Sequence, residues 1–219
     1  NDHDKNNTVT KSFYITQLKL LQETCSQLHD KALALSQEEI ITLFEKARYQ
    51  YKEIEFLIEY KYSFSANRIN GAPLPESDPK EARLITYPTG FQVLEPFVYE
   101  ELTLENRQSI VSEVSNINTV LENLLGVSDD LHLNNVELLD ALRLNLYRMV
   151  IKGISGFDAP VANTGVKECI AILSTTKLLL SQFKNSENVL SSIDGAINYV
   201  NANSTDFNDF NRAVFISKY

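Results

Sequence analysis

The residues whose types and spacing could do chemistry lie in three stretches of the chain. Pro88-Thr89-Gly90-Phe91-Gln92-Val93-Leu94-Glu95 sets an amide and a carboxyl, Gln92 and Glu95, three residues apart. On a helix that spacing puts both on one face. After Ser36, an apolar stripe of Ile40, Leu43, Phe44, Ala47, Tyr51, Ile54 and Ile58 has Arg48 and Glu55 along one edge, two turns apart. The stretch 135–154 carries a stripe of Leu139, Leu142, Leu146, Met149 and Val150, and Arg143 falls inside it, whereas Arg148 points away to solvent. An unpaired buried guanidinium is very costly, so an arginine on a core face needs a carboxylate from another segment; Glu55 and Glu95 are the best-placed candidates. The pattern therefore predicts a polar cluster inside a helical core, built from Arg48, Tyr51, Glu55, Gln92, Glu95 and Arg143. Two readings fit it. One is an internal salt-bridge and hydrogen-bond network that fixes helix register. The other is a ligand or metal site, for which the oxygens of Gln92 and Glu95 would suit a hard cation.

Other chemistries lack their residues. His3, His29 and His132 have no partner at helical ligand spacing, so no HExxH-type zinc site is present. There is no GxSxG, no GxxxxGK[ST] and no glycine-rich phosphate loop. Cys25 and Cys169 form neither CxxC nor CxxCH, which excludes a thiol redox motif and covalent c-type haem within these residues. Both sit in apolar helical contexts and read as buried thiols, with a single disulfide as the alternative in an oxidising compartment.

The elements that must position the cluster read as helices throughout. Val9, Phe13, Leu18, Leu21, Cys25, Leu28, Ala32 and Leu35 give a first helix over Thr8 to Leu35. Ser36 and Glu39 make a capping box that starts a second, running to about Tyr62. Ser65 to Tyr87, with Asn70-Gly71-Ala72-Pro73, Pro75 and Pro79, reads as a long loop extending to about 88. A short helix over Gly90 to Tyr99 should be strained by Pro96, leaving Glu95 at a kink or a cap. Thr103 caps Leu104 to Leu125, stopped by Gly126. Further helices follow from Asn134 or Asn135 to about Ile154, Thr164 to Phe183, Ser186 to Asn201 and Asp206 to Lys218, with a turn at Gly156-Phe157-Asp158-Ala159-Pro160. The expectation is an all-α, up-down bundle of seven to eight helices. Residues 1–7 form a disordered tail, and 8–219 form one domain whose halves would be 8–126 and 134–219.

Composition agrees with a folded helical protein: 43% hydrophobic and 22% charged residues, with only 7 Gly and 6 Pro in 219. The net charge of −9 argues against nucleic acid and against an anionic membrane surface. No apolar run approaches the roughly 20 residues of a spanning helix. The opening Asn1-Asp2-His3-Asp4-Lys5-Asn6-Asn7 has no apolar h-region, and a start that polar also suits a trimmed exported protein.

Gly90-Phe91-Gln92-Val93-Leu94-Glu95 resembles the GxHxxE signature of the imelysin-like proteins, with Gln92 in place of the histidine. Arg48, Tyr51-Lys52, Glu55, Glu59-Tyr60, Asn70-Gly71, the Gly90–Glu95 run, Gly156-Phe157-Asp158-Ala159-Pro160 and Phe207-Asn208-Asp209-Phe210-Asn211-Arg212 follow one another in a similar way. In that order they resemble the imelysin-like helical domain found ahead of the catalytic part of some di-haem cytochrome c peroxidase-like proteins. The resemblance covers Phe44 to Tyr219. It implies a periplasmic or cell-surface helical accessory domain, itself not an enzyme. No cofactor would be held covalently, and iron or haem would belong to a di-haem peroxidase-like partner domain or another envelope protein. Iron, haem or small-ligand binding by Gln92, Glu95, Glu55 and Arg143 is the alternative; a peptidase, as some relatives are described, is a remoter one. The loss of the motif histidine weakens a direct metal site, because a neutral amide is a poor ligand for iron or zinc.

Overall fold

Several helices start where a side chain satisfies the free amides of the first turn. Ser36 Oγ accepts from the Glu39 amide at 3.3 Å while Glu39 Oε2 accepts from the Ser36 amide at 2.8 Å. Asn134 and Glu137 repeat the arrangement, and Thr103 Oγ1 accepts from the Asn106 amide at 3.1 Å. A computed structural model describes residues 2–77, 85–204 and 206–219. In it the protein is an all-α bundle with nine helices among the described residues: α1 (Asp2–Lys31), α2 (Gln37–Lys61), α3 (Ser63–Asn70), α4 (Phe91–Tyr99), α5 (Leu104–Gly126), α6 (Asn135–Arg148), α7 (Gly165–Leu180), α8 (Glu187–Asn203) and α9 (Arg212–Lys218). No helix among the described residues is long and apolar enough to cross a membrane.

Several boundaries differ from expectation for local reasons. Helix α1 begins at Asp2, inside the stretch expected to be a disordered tail. Asn6 is buried and donates to Asn135 Oδ1 at 3.3 Å, while Asn7 Oδ1 accepts from the Leu133 amide at 3.0 Å, so the polar start docks on the turn before α6. Helix α3 occupies the beginning of the expected loop, because turn chemistry begins only at Gly71. Beyond it, β1 (Glu76–Ser77) and β2 (Ile85–Thr86) form a two-residue antiparallel ribbon with Glu76 opposite Thr86. The rest of that loop, 78–84 with Pro79, lies outside the described residues, as do Asn1 and Thr205. Helix α4 runs through Pro96, so Glu95 is not a cap but an interior helical residue. Residues 206–211, expected to be helical, form a turn instead: Asp206 Oδ1 accepts from the Asn208 amide at 2.7 Å, and α9 starts only at Arg212.

Apolar packing splits into two clusters. The first joins Tyr14, Leu18, Leu21 and Cys25 of α1 to Phe44, Ala47, Tyr51 and Ile54 of α2, then to α3, α4 and α5. It also takes Leu138, Ala141 and Leu142 of α6, so the division falls within α6 rather than between 126 and 134. The second cluster gathers Met149, Ile154, Val166, Cys169, Ile172, Ile193, Val200, Phe210 and Phe215. At the boundary, Met149–Ile154 widens from α to π geometry, a single-turn bulge of the kind often found beside functional sites. Cys25 and Cys169, one in each cluster, are buried free thiols. Burial pushes the Cys25 thiol up to about 12.

Candidate functional site: a sealed polar network between the two clusters

Helical spacing brings Arg48, Tyr51, Lys52 and Glu55 onto one face of α2, at i, i+3, i+4 and i+7. Four other segments converge on it. Asn70 ends α3; Gln92 and Glu95 share a face of α4; the turn after the π segment carries Asp158, and the first turn of α7 carries Glu168. An acid in a first turn also suits the positive end of the helix dipole. None of Arg48, Lys52, Glu55, Asn70, Gln92, Glu95, Asp158 or Glu168 is more than 5% exposed.

Asp158 is the hub. Its Oδ1 accepts from Asn70 Nδ2 and Gln92 Nε2, each at 3.0 Å, and its Oδ2 accepts from the Lys52 ammonium. Its backbone carbonyl accepts from Arg48 Nη2 at 3.0 Å, and its amide donates to the Lys152 carbonyl at 3.2 Å. Arg48 forms a two-pronged pair with Glu168, Nε to Oε1 at 2.7 Å and Nη2 to Oε2 at 2.9 Å, and reaches Asn70 Oδ1 at 3.3 Å. Thr164 Oγ1 donates to Glu168 Oε1 at 2.7 Å. Lys52 also donates to Glu55 Oε1 at 2.6 Å, Gln92 to the Asn70 carbonyl at 3.2 Å, and the Ala162 amide to Glu95 Oε1 at 2.9 Å. Aromatic faces close the apolar side: Arg48 lies 5.9 Å from the Phe44 ring centre and Lys52 5.7 Å from that of Tyr51, while Tyr51 and Phe91 pack at 5.8 Å.

The electrostatics divide the acids into two kinds. Burial alone would lower the Arg48 and Lys52 pKa values; facing carboxylates, led by Glu168 for Arg48 and Asp158 for Lys52, outweigh it and hold both cations firmly charged. Burial raises Asp158 and Glu168, but their cations prevail and both titrate below the ordinary carboxylate range. Glu55 and Glu95 go the other way. Burial pushes each up; Lys52 opposes it at Glu55, the Ala162 amide and Arg48 oppose it at Glu95, and neither opposition suffices. Each has one carboxyl oxygen, Oε2, with no protein donor, and the Tyr51 hydroxyl is likewise unpartnered.

Two glycines make room for this centre. Gly90, at φ +101°, has its Cα so close to α3 that a β-carbon would stand 2.2 Å from the Ile69 carbonyl oxygen. Gly156, at φ +82°, lies under the Phe207 ring, which a β-carbon would meet at 2.5 Å. Arg212 then ties the closing segment down, donating to the Ile154 carbonyl at 2.8 Å and the Phe207 carbonyl at 2.9 Å.

Of the residues expected in the cluster, Arg48, Tyr51, Glu55, Gln92 and Glu95 are all buried here, whereas Arg143 is not. It points to solvent, with its side chain 66% exposed and paired with Asp140 on the same helix at 2.9 Å. The apolar stripe of α6 is phased on Leu138, Ala141, Leu142, Asn145 and Met149, not on Leu139, which is 42% exposed. With Leu138 rather than its neighbour Leu139 on the buried face, Arg143 falls outside the stripe. Arg148, expected in solvent, is instead half-buried and pairs with Glu59 at 3.5 Å. Within the turn, Asp158 is the hub while Phe157 is 60% exposed. Lys52 and Glu168 complete the set. Both were detectable as charges on core faces, Lys52 between Arg48 and Glu55 and Glu168 beside Cys169 and Ile172 on α7. Gln92 and Glu95 face different partners rather than a shared point, and no group of three or more His, Cys, Asp or Glu among the described residues could hold a metal ion.

No protein-family model matches the chain, and no curated protein is significantly similar to it.

Proposed function

We propose that this chain is a non-catalytic, imelysin-like helical module of the bacterial envelope, accompanying a di-haem cytochrome c peroxidase-like protein or iron and haem handling. The observation that carries the reading is spatial. Arg48, Lys52, Glu55, Asn70, Gln92, Glu95 and Asp158, seven of the polar residues on which the resemblance rests, span 48 to 158 in sequence yet meet in one hydrogen-bonded or closely packed centre. Unrelated surface positions have no reason to converge in this way. The centre is sealed, and its strong cations are neutralised by its own acids, which suits a part that fixes helices against one another.

The competing readings, iron, haem or small-ligand binding by the cluster and peptide hydrolysis, both need a reactant to reach side chains that are at most 5% exposed. The test is to determine the reading frame beyond Tyr219 and the composition of the native complex. Two CxxCH haem-attachment motifs in the same frame, or a di-haem chain that co-purifies stoichiometrically, is the expected result. A frame without them and no co-purifying haem protein refutes the proposal. Stoichiometric metal lost in Glu95→Ala would transfer the assignment to the ligand-binding reading.

A further inference from the structure

Charge does not balance inside the network. Two cations, Arg48 and Lys52, face four carboxyl groups: Glu55, Glu95, Asp158 and Glu168. Arg48 neutralises Glu168 through its paired bonds, and Lys52 is drawn to Asp158, which also collects two amide donors and the field of Arg48. Glu95 is at least held by the Ala162 amide. Glu55 has only a share of Lys52, at 2.6 Å, and its second oxygen meets no donor in an interior where it is 2% exposed.

The groups around Glu55 make ionisation harder. Glu59 is one turn further along α2 and Asp158 faces it from the turn, while the Tyr51 hydroxyl, one turn back, carries no charge. Cys169 and Glu168 face the same centre from α7. The remaining cations face other acids: Arg48 pairs with Glu168, Arg148 of α6 meets Glu59 through Nε at 3.5 Å and leaves Nη1 without a partner, and Lys152 of the π segment acts on Asp158. An isolated buried carboxylate costs far more than binding a proton.

We propose that Glu55 carries a proton in the folded protein at neutral pH, and that losing it above neutrality loosens the Lys52–Asp158 junction between α2 and the 155–163 turn. A neutral Glu55 leaves Lys52 to Asp158 alone. An ionised Glu55 competes for the same ammonium and repels Asp158 across it. The inference is independent of what the module accompanies.

The sign is fixed by linkage. A carboxyl that titrates higher folded than unfolded binds more protons in the native state between the two values, so stability falls as pH rises through that window. For one proton the folding constant should drop by up to about tenfold per pH unit. The experiment measures unfolding of the chain from mildly acidic to mildly alkaline pH, with proton release counted from buffer-dependent calorimetry. Wild type should lose stability as pH rises from the mildly acidic range to the point where folded Glu55 ionises, and should release about one proton on unfolding at neutral pH. Glu55→Gln should flatten that limb and abolish that proton. Parallel pH profiles for the two proteins, or unchanged proton release, overturn the proposal. So does a limb that depends on whether sodium, potassium or choline is present, which would make the bound charge a metal cation. If Glu55→Gln does not fold, infrared spectra of Glu95→Gln decide. A protonated carboxyl band at neutral pH that vanishes on alkaline titration supports the proposal, and its absence refutes it.

Discussion

Replacing Arg48 by methionine, which keeps the stem and deletes the charge, should destabilise the fold by about 3–5 kcal/mol. Arg48 makes two bonds to Glu168 and one each to Asn70 Oδ1 and the Asp158 carbonyl. Without it, Glu168 keeps the Thr164 hydroxyl at 2.7 Å but remains a buried carboxylate. Most of the cost lies in that stranded charge, so Glu168→Leu, which strands the guanidinium instead, should fall in the same range of about 3–5 kcal/mol. The double variant Arg48→Met/Glu168→Leu strands neither charge. It leaves Asn70 Oδ1 and the Asp158 carbonyl short of a donor, a loss of about 1–3 kcal/mol for each group that cannot find another. The double should therefore be more stable than either extrapolated sum by several kcal/mol, a coupling read directly from the cycle. Urea unfolding followed by circular dichroism supplies the midpoints and slopes. Domains of this kind hold about 5–15 kcal/mol in all, so a single variant can be too unstable to fold; the double variant then decides, because it is expected to fold. Single variants within about 1 kcal/mol of wild type, or costs that simply add, would refute a network that depends on mutual neutralisation.

On the acid side, Asp158 and Glu168 titrate lower folded than unfolded, so their contribution is present above the ordinary carboxylate range and is lost as pH falls through their folded values; Asp158→Asn should flatten that limb in the same unfolding assay. Arg143→Ala should change stability by no more than about 0.5 kcal/mol, since the Arg143–Asp140 pair is exposed; a loss of several kcal/mol would restore Arg143 to the interior. Gly90→Ala should cost at least about 1–3 kcal/mol for the positive φ alone, with the Ile69 carbonyl collision added, whereas Gly126→Ala, whose new methyl meets nothing within 4 Å, should be neutral or stabilising in thermal melts.

Helix positions were legible because caps and periodic apolar residues act locally. Ser36, Thr103 and Asn134 each start the helix that their side chains predict. The α2 half of the centre was legible for the same reason: Arg48 and Glu55 could be placed at the edge of a stripe of seven apolar residues. The choice of partner was not. Which acid meets Arg48 depends on how α7 crosses α2, and a single helical wheel contains no information on that crossing. Arg143 shows the complementary limit. Where Leu138 and Leu139 are adjacent, hydrophobicity does not select the phase, and packing of the helix against α2 and α7 settles it. The docking of Asn6 and Asn7 was hidden because asparagine scores as tail-like until the turn it binds is in place.

The π segment at Met149–Ile154 has a consequence for how this chain tolerates change in length. A π turn holds one residue more than an α turn of similar height, and each residue of an α-helix advances the chain by about 100°. That surplus residue sets the direction in which the chain leaves α6, and so the bearing from which Asp158 reaches the Lys52 ammonium. Ile151 is 69% exposed and can change its chemistry freely. Its deletion can be absorbed, because the segment tightens to ordinary helix and keeps its bearing; an insertion is another matter, since the turn is already wide, and it would swing the exit by about a quarter of a circle and carry the hub away from four donors without altering any of them. Here spacing is under stricter constraint than side-chain identity.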